Sequence, residues 1–292
     1  MRVLLVTNAS SGSADARRRD AIVDELARLG PVEPIEPGDA DALTRELPRA
    51  ARGVQLVVVA GGDGTFNCTV NALAPARDDV VFGLLPMGTG NDFARTMGLP
   101  TDALEAARAL VDGRDVAVDL GRATGPRAER LFVNACMGGF PVQVDESTNE
   151  RLKKMLGPVA FWVAGAKEAT TDLRRAAVTM NGVEVADCVA AGVGNGRTCG
   201  GGVEVWPRAD PRDGELDGCA LGASTVVAGA GLALKVRNGE HESLDGVATT
   251  RAARVELDAD PCFDVNVDGE LVGLTTPATF EVAGSIRFRA PA

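Results

Sequence analysis

The 292-residue chain contains no tyrosine and a single histidine, His241, and aromatic residues make up only 4% of it. A catalytic dyad or triad built on histidine therefore has one candidate at most. Because His241 lies in the polar stretch 238–242, we interpret it as a loop residue without a catalytic role. Acid–base chemistry in this chain is expected to depend on carboxylates.

The cysteines are few and scattered. None of the six belongs to a C-x-x-C pair, which argues against a zinc knuckle or a thioredoxin-like redox site. Buried, unpaired thiols in a reducing cytoplasm are the simplest interpretation.

The chain also lacks a net positive charge and long apolar runs. Its net charge of −11 argues against nucleic acid as a partner and against strong electrostatic attraction to anionic membranes. Met1–Val6 is too short for a signal peptide and is predicted to be the first strand. The most membrane-like stretch, Cys219–Leu234, falls short of the roughly 20 residues that a membrane span requires. We expect a cytoplasmic protein.

The most informative stretch runs from Val54 to Asn67. A β-branched apolar run ends at Gly61-Gly62-Asp63-Gly64-Thr65, after which an apolar periodicity begins, and this order predicts a buried strand, a tight turn and a helix start. Glycines allow close backbone approach, and a helix N-terminus suits a phosphate. The turn is not a Walker P-loop, because G-x-x-x-x-G-K-[ST] is absent. On the glycines alone, an ordinary strand–helix turn remains an alternative.

Residues 1 to about 120 alternate between strand and helix patterns. Two further polar turns follow predicted strands, Asn8–Gly12 after Val3–Thr7 and Pro86–Arg95 after Val80–Leu85. Such alternation predicts a mainly parallel sheet with helices on both faces. Ligands of such sheets bind at the carboxyl ends of the strands, where these polar turns are expected to meet.

Beyond about residue 120 the pattern changes to short runs separated by turn residues, which predicts an antiparallel sandwich. Two helical stretches, about Glu146–Leu173 and Thr225–Val236, interrupt it, and they either pack on the sandwich or wall an apolar pocket. The predicted strands are Val116–Leu120, Leu131–Ala135, Ala177–Met180, Cys188–Val193, Gly202–Trp206, Arg254–Asp258, Phe263–Val267 and Thr279–Val282.

Several motifs together resemble the diacylglycerol-kinase catalytic family, in its bacterial lipid-kinase branch. Gly61–Thr65 alone also resembles NAD kinases, but Leu85–Arg95 (LPMGTGNDFAR) is similar to the lipid-kinase signature. The further matches, spread over nearly the whole chain, are Asn134 with Gly138-Gly139-Phe140, Gly194-Asn195-Gly196, Gly200-Gly201-Gly202, Pro207–Asp217, His241 and Asp268-Gly269-Glu270.

The resemblance implies an ATP- and Mg²⁺-dependent enzyme that phosphorylates a lipid hydroxyl. It implies an N-terminal Rossmann-like α/β domain at about 1–122 that binds nucleotide, in a cleft with a C-terminal antiparallel β-sandwich at about 123–282. The sandwich, with its helical insertions, would bind the lipid and the metal. In this family the C-terminal segment, here about 283–292, commonly returns to the first domain.

The resemblance also implies roles for individual residues. Glu270 becomes the candidate general base, while Asp63 and Asp92 are expected to hold metal-bound waters. Asp213 is the expected Mg²⁺ ligand, with Asp210 and Glu215 contributing mainly backbone oxygens. The expected nucleotide-binding residues are Asn8, Ala9, Ser10, Ser11, Gly12, Gly61, Gly62, Asp63, Gly64, Thr65, Asn67 and Thr89.

Local patterns and departures qualify these roles. Taken alone, Asp213-Gly214 predicts a hairpin turn, and Asp268-Gly269 predicts a type I′ hairpin. Cys68 and Pro141 stand where the family commonly has acidic residues, and Trp206 stands where a small residue is more typical.

Three hypotheses for function follow. The first is a lipid kinase acting on diacylglycerol or a related lipid, with transient contact at the inner membrane surface. The second is an NAD-kinase-like enzyme, and the third is a non-catalytic nucleotide or lipid sensor, which Cys68 and Pro141 motivate. A homodimer formed by pairing of edge strands stays open.

Overall fold

The computed structural model describes residues 1–7, 13–76, 78–139, 176–223, 232 and 234–292, with the side chains of 13–16 excepted. The predicted helix at 146–173 lies outside these residues, as does most of the one at 225–236. The described residues divide into two compact units, Met1–Val118 with Ser285–Ala292, and Asp119–Gly284.

The first unit is an α/β domain. Its strands are β1 (Val3–Thr7), β2 (Val32–Ile35), β3 (Leu56–Gly61) and β4 (Val81–Pro86), joined by the end of β15 (Ala278–Ala290). All the pairs are parallel, in the order β15-β4-β3-β1-β2, as the strand–helix alternation predicted. Its helices are α1 (Ser13–Leu26), α2 (Ala40–Ala50), α3 (Asp63–Leu73), α4 (Asp92–Thr96) and α5 (Ala103–Val111).

Four phenylalanines form the centre of this unit. Phe66 of α3 stacks on Phe93 of α4 with ring centroids 5.2 Å apart, and Phe82 and Phe288 meet Phe66 edge to face. All four side chains are fully buried. Each such pair adds about 0.5–1.5 kcal/mol beyond the burial of its area, so this cluster holds α3 and α4 together.

The second unit is antiparallel, which confirms the predicted class for this half of the chain. Its central path is β14-β13-β7-β9-β8-β12-β15, and β10 joins β9 to β11. The strands are β5 (Arg114–Thr124), β6 (Glu129–Phe132), β7 (Ala135–Gly139), β8 (Ala176–Met180), β9 (Val183–Gly194), β10 (Leu216–Gly222), β11 (Val247–Ala252), β12 (Arg254–Asp260), β13 (Asp264–Val267) and β14 (Glu270–Thr275), together with the start of β15.

The strand predicted at Gly202–Trp206 is wrong. This segment makes only a single bridge, between Cys199 and Val203, and lies in turns. Gly200, Gly201 and Gly202 all have positive φ, a conformation that interrupts an extended chain. Trp206 is buried there and packs so closely that a Cβ on Gly194 would lie 2.4 Å from its ring.

No helix within the described part of the chain is long and apolar enough to cross a membrane.

Candidate functional site

The first glycine turn lies at the end of β3, as the sequence predicted. Gly61 closes the strand, and Gly62 is the N-cap of the 11-residue helix α3 without a side-chain cap. The first turn of a helix presents backbone N–H groups that have no intrahelical acceptor. The turn Gly61–Thr65 therefore combines glycine backbone with a helix N-terminus, an arrangement that suits an anionic phosphate.

The second glycine turn follows β4 and touches the first. The amide of Met87 donates to the carbonyl of Gly61 at 3.0 Å, and a Cβ on Gly88 would lie only 2.7 Å from Cα of Gly62. Asn91 closes this turn in a left-handed conformation, with its side chain bonded to both the amide and the carbonyl of Gly88. A side chain at position 88 therefore does not fit unless the two turns shift apart.

Asp63 connects the two turns electrostatically. Its carboxylate accepts hydrogen bonds from the backbone amides of Asp92 at 3.0 Å and of Phe93 at 3.1 Å. It thus caps α4, although it belongs to the first turn of α3. The side chain of Asp92 is itself buried, at 6% exposure. The structure therefore brings together Asp63 and Asp92, which the sequence places 29 residues apart.

The predicted nucleotide-binding residues differ in their exposure. Thr89 is exposed and Thr65 is half-buried, whereas the side chain of Asn67 is fully buried and accepts a hydrogen bond from Nδ2 of Asn71 at 3.1 Å. Asn8–Gly12 lie outside the described residues.

In the second unit, Asp213 lies in a loop that leads into β10. Its Oδ1 accepts the amide of Glu215 at 2.9 Å, and its Oδ2 pairs with the guanidinium of Arg251 on β11. The carboxylate of Glu215 lies 2.9 Å from Nε of Arg251, and that of Asp217 lies 4.0 Å from it. One cation thus faces three carboxylates.

The hairpin predicted from Asp213-Gly214 alone is wrong, because no strand precedes this turn within 207–215.

Two further carboxylates belong to this region: Asp210 lies in the loop, and Asp119 lies on β5 and contacts it. Asp210 forms two hydrogen bonds with Arg212, which lower the pKa of its carboxyl group. Asp119 accepts the amide of Gly214 at 2.8 Å, and burial raises the pKa of Asp119, assisted by the nearby charges of Asp213 and Asp210. Sequence reasoning missed Asp119, whose only signal was an acidic residue inside the apolar pattern of β5.

Burial has a stronger effect on Asp217, which is only 5% exposed. Loss of hydration raises its pKa to about 6, although the charge of Arg251 partly opposes this shift. The loop therefore places a weakly hydrated carboxyl group beside those of Asp213 and Glu215.

The candidate base lies on the hairpin formed by β13 and β14. Asp268 and Gly269 form a two-residue turn with φ of +48° and +87°, and Val267 pairs with Glu270 across it. The predicted type I′ hairpin is confirmed, since this turn requires positive φ at both positions. The side chain of Glu270 is exposed at the start of β14.

The loop around Asp213 has donor chemistry that fits Mg²⁺. Asp213 and Glu215 offer the hard oxygens that this ion prefers, and the guanidinium of Arg251 already occupies a cationic position among them. Within the described residues, no three histidine, cysteine or acidic side chains are grouped to hold a metal. A bound Mg²⁺ would therefore take further ligands from backbone carbonyls or water.

His241 lies in a loop, as predicted, but its side chain is not exposed there. The residue is fully buried, and its Nε2–H donates to the carbonyl of Val205 at 3.0 Å. Burial lowers the pKa of the imidazole, so this histidine is a neutral structural group.

Two domain families match the chain. Residues 2–123 match the diacylglycerol kinase catalytic domain, and residues 134–286 match the YegS C-terminal NAD kinase beta sandwich-like domain. Among solved structures, one described as "a putative diacylglycerol kinase from Bacillus anthracis str. Sterne" is 25% identical, with a TM-score of 0.81 over 99% of this chain and 95% of that chain.

Relatives named "Probable lipid kinase YegS-like" align over most of the chain. The protein of Pseudomonas syringae pv. tomato is 37% identical over 86% of this chain and 81% of its own length. The protein of Pseudomonas aeruginosa (strain PAO1) is 35% identical over 92% of this chain and 87% of its own length. The protein of Stenotrophomonas maltophilia is 33% identical over 88% of this chain and 85% of its own length. With both domain families present in order, the chain belongs to the YegS-like branch of the diacylglycerol kinase catalytic-domain family.

Proposed function

We propose that this protein is an ATP- and Mg²⁺-dependent lipid kinase that transfers the γ-phosphate of ATP to the hydroxyl group of a diacylglycerol-like lipid. The observation that carries the proposal is the match to both domain families over 2–123 and 134–286, together with relatives named as lipid kinases. The family makes the chain a phosphotransferase with an alcohol group as acceptor.

The nucleotide is assigned to the first unit. Backbone amides of Gly61–Thr65 contact its phosphates, helped by the N-terminus of α3, and Thr89 offers an exposed hydroxyl in the adjoining turn. Asn8–Gly12 are assigned to the same nucleotide. The cap that Asp63 places on α4 keeps these turns together.

The second unit supplies the acid–base chemistry and the metal site. Glu270 accepts the proton of the lipid hydroxyl as that oxygen attacks the γ-phosphorus of ATP, the bond to the β-phosphate oxygen breaks and ADP leaves. The exposed position of Glu270 leaves it accessible to a substrate. Asp213, with Asp210 and Glu215, holds Mg²⁺. When bound, Mg²⁺ neutralises negative charge on the phosphates. The water-holding role of Asp63 and Asp92 stays a prediction.

Contact with lipid is supported by an apolar neighbour of the base. Leu271, the residue after Glu270 on β14, is 48% exposed although it is a large aliphatic side chain. Consecutive residues of a strand point to opposite faces of the sheet, so Leu271 and Glu270 face different sides of β14. Shallow insertion of an exposed leucine suits a protein that touches a membrane only transiently. We assign the protein to the cytoplasm, with passing contact at the inner membrane surface.

Labelled ATP and Mg²⁺, incubated with a panel of lipids in mixed micelles, test the proposal. We expect label in a phosphomonoester of diacylglycerol or of a related lipid, and none when Mg²⁺ is chelated. Incubation with NAD tests the NAD-kinase-like alternative, which predicts NADP instead. Tight ATP binding without phosphorylation of any lipid extract would favour the sensor.

A further inference from the structure

The carboxylate of Asp268 binds a run of consecutive backbone amides. It accepts hydrogen bonds from Val133 at 2.9 Å, Asn134 at 3.0 Å and Ala135 at 2.8 Å, and its own amide donates to the carbonyl of Ala135 at 2.8 Å. Asp268 is only 5% exposed. Hydrogen bonds to a charged, buried acceptor are stronger than those between neutral groups, so this contact fixes the turn firmly to residues 133–135.

Asp268 lies two residues before the candidate base, so its contact with residues 133–135 bears on the position of that base. It is the first residue of the two-residue turn, and Glu270, the candidate base, begins the strand that follows. The exposed side chain of Glu270 therefore starts from a backbone that Asp268 anchors. A base must lie within hydrogen-bond reach of the proton it removes, and small displacements reduce its efficiency.

The same anchor extends to Asn195. The carbonyl of Asn134 accepts the amides of Asn195 and Gly196, both at 2.8 Å. In return, Nδ2 of Asn195 donates to the carbonyls of Val133 at 2.7 Å and Asp119 at 2.9 Å. Asn195 is 1% exposed, and its bond to Val133 is buried while its bond to Asp119 is partly buried.

Asp119 completes the connection to the loop of Asp213. Its amide donates to the carbonyl of Pro211 at 2.7 Å, and its carboxylate accepts the amide of Gly214 at 2.8 Å. Direct hydrogen bonds therefore run through the backbone from the turn before Glu270 to the residue after Asp213, all within the second unit.

We infer that Asp268 and Asn195 are positioning residues for the reaction proposed above, on which this inference rests. Asp268 holds the turn that carries Glu270, and Asn195 fixes the anchor of that turn to the loop that carries Asp213. Neither residue acts on substrate itself. Their effect is to keep the base and the metal-binding loop at a constant separation, in the way that outer-shell hydrogen bonds orient catalytic groups.

Asp268→Asn tests the first contact, with Asp264→Asn, an exposed aspartate on the same hairpin, as the matched control. The new amide nitrogen cannot accept a hydrogen bond, so one buried N–H among residues 133–135 loses its partner. We expect faster hydrogen exchange at 133–135 and 267–272, a kcat roughly 10- to 100-fold lower, and a KM for ATP within about twofold of wild type. Exchange and kcat equal to those of Asp264→Asn would overturn the inference.

A double-mutant cycle separates positioning from general damage. If Asp268 acts through Glu270, Asp268→Asn lowers kcat in the wild type but adds little further loss in a Glu270→Gln background. Equal losses in both backgrounds would assign Asp268 a role independent of the base and reject the inference.

Asn195→Asp provides a second route if Asp268→Asn does not fold. A carboxylate at 195 cannot donate to the carbonyls of Val133 and Asp119, so we expect faster exchange at both 133–135 and 211–214. Exchange unchanged at either segment would contradict the connection. Exchange requires no substrate. If the wild type phosphorylates no lipid but the two variants show these exchange changes, the proposed function is rejected and the anchoring is left intact.

Discussion

The guanidinium of Arg251 pairs with the carboxylate of Asp213, the residue expected to bind Mg²⁺. Arg251 comes from β11, 38 residues further along the chain, and also faces Glu215 and Asp217. A metal ion at Asp213 and this guanidinium are both cations, so they compete for the same carboxylate. The position of Arg251 would therefore weaken the binding of Mg²⁺ that we propose for this loop.

Arg251→Gln should lower the Mg²⁺ concentration needed for half-maximal activity by about two- to fivefold, because the guanidinium no longer opposes the metal and an exposed ion pair contributes little energy. A Mg²⁺ titration at saturating ATP measures this. Arg254→Gln, which removes an arginine paired with Glu256 and Glu281 instead, is the control and should leave the requirement unchanged. A higher requirement in Arg251→Gln would show that Arg251 supports the loop.

Asp63→Ala should destabilise the protein by about 1–2 kcal/mol, because the amides of Asp92 and Phe93 lose the carboxylate that caps α4. Urea unfolding followed by circular dichroism measures the change. Asp78→Ala, at an exposed turn, is expected to cost less than about 0.5 kcal/mol. Equal stability of the two variants would mean that the cap contributes nothing.

Gly88→Ala should raise the KM for ATP about tenfold or more, since a Cβ 2.7 Å from Cα of Gly62 must push the two glycine turns apart. Gly38→Ala is a suitable control, as no atom lies within 4 Å of a Cβ built there. The KM for ATP is measured at a fixed lipid concentration. A KM equal to that of the wild type in Gly88→Ala would show that these turns do not take part in nucleotide binding.

Local patterns predicted the parts of the fold that depend on local rules. The strand, glycine turn and helix at 56–73 follow from a β-branched run, glycines and apolar periodicity, and the hairpin at Asp268-Gly269 follows from its demand for positive φ. The error at Gly202–Trp206 arose beside three consecutive glycines with positive φ. The error at Asp213-Gly214 arose because a strand follows this turn but none precedes it within 207–215.

The relations between the site residues could not be predicted in this way. Arg251 reaches Asp213 across 38 residues, and Asp268 reaches Asn134 across 134. Such contacts depend on strand order, which hydrophobic periodicity does not predict. The burial of His241 was missed for the same reason. Its polar neighbours in sequence do not indicate which distant residues pack around it.

His241→Asn should reduce the dependence of stability on pH. The folded imidazole has a pKa below its usual 6.5 because it is buried, so its contribution is present above about pH 6.5 and is lost as the pH falls through 6.5 towards the folded pKa. Because the chain has a single histidine, the comparison is unambiguous. Urea unfolding at pH 7.5 and 5.5 should show a larger loss for wild type than for the variant. Equal losses would contradict a neutral, buried His241.

The most direct test of the account is transfer of labelled γ-phosphate from ATP to diacylglycerol by wild type and by Glu270→Gln. Both proteins should bind ATP equally, and their circular dichroism spectra should agree. We predict a labelled phosphomonoester with the wild type in Mg²⁺ and a turnover at least about 100-fold lower with Glu270→Gln, which cannot accept the proton. Equal turnover by the two proteins would contradict Glu270 as the base, and no labelled lipid from the wild type with any acceptor would contradict the kinase itself.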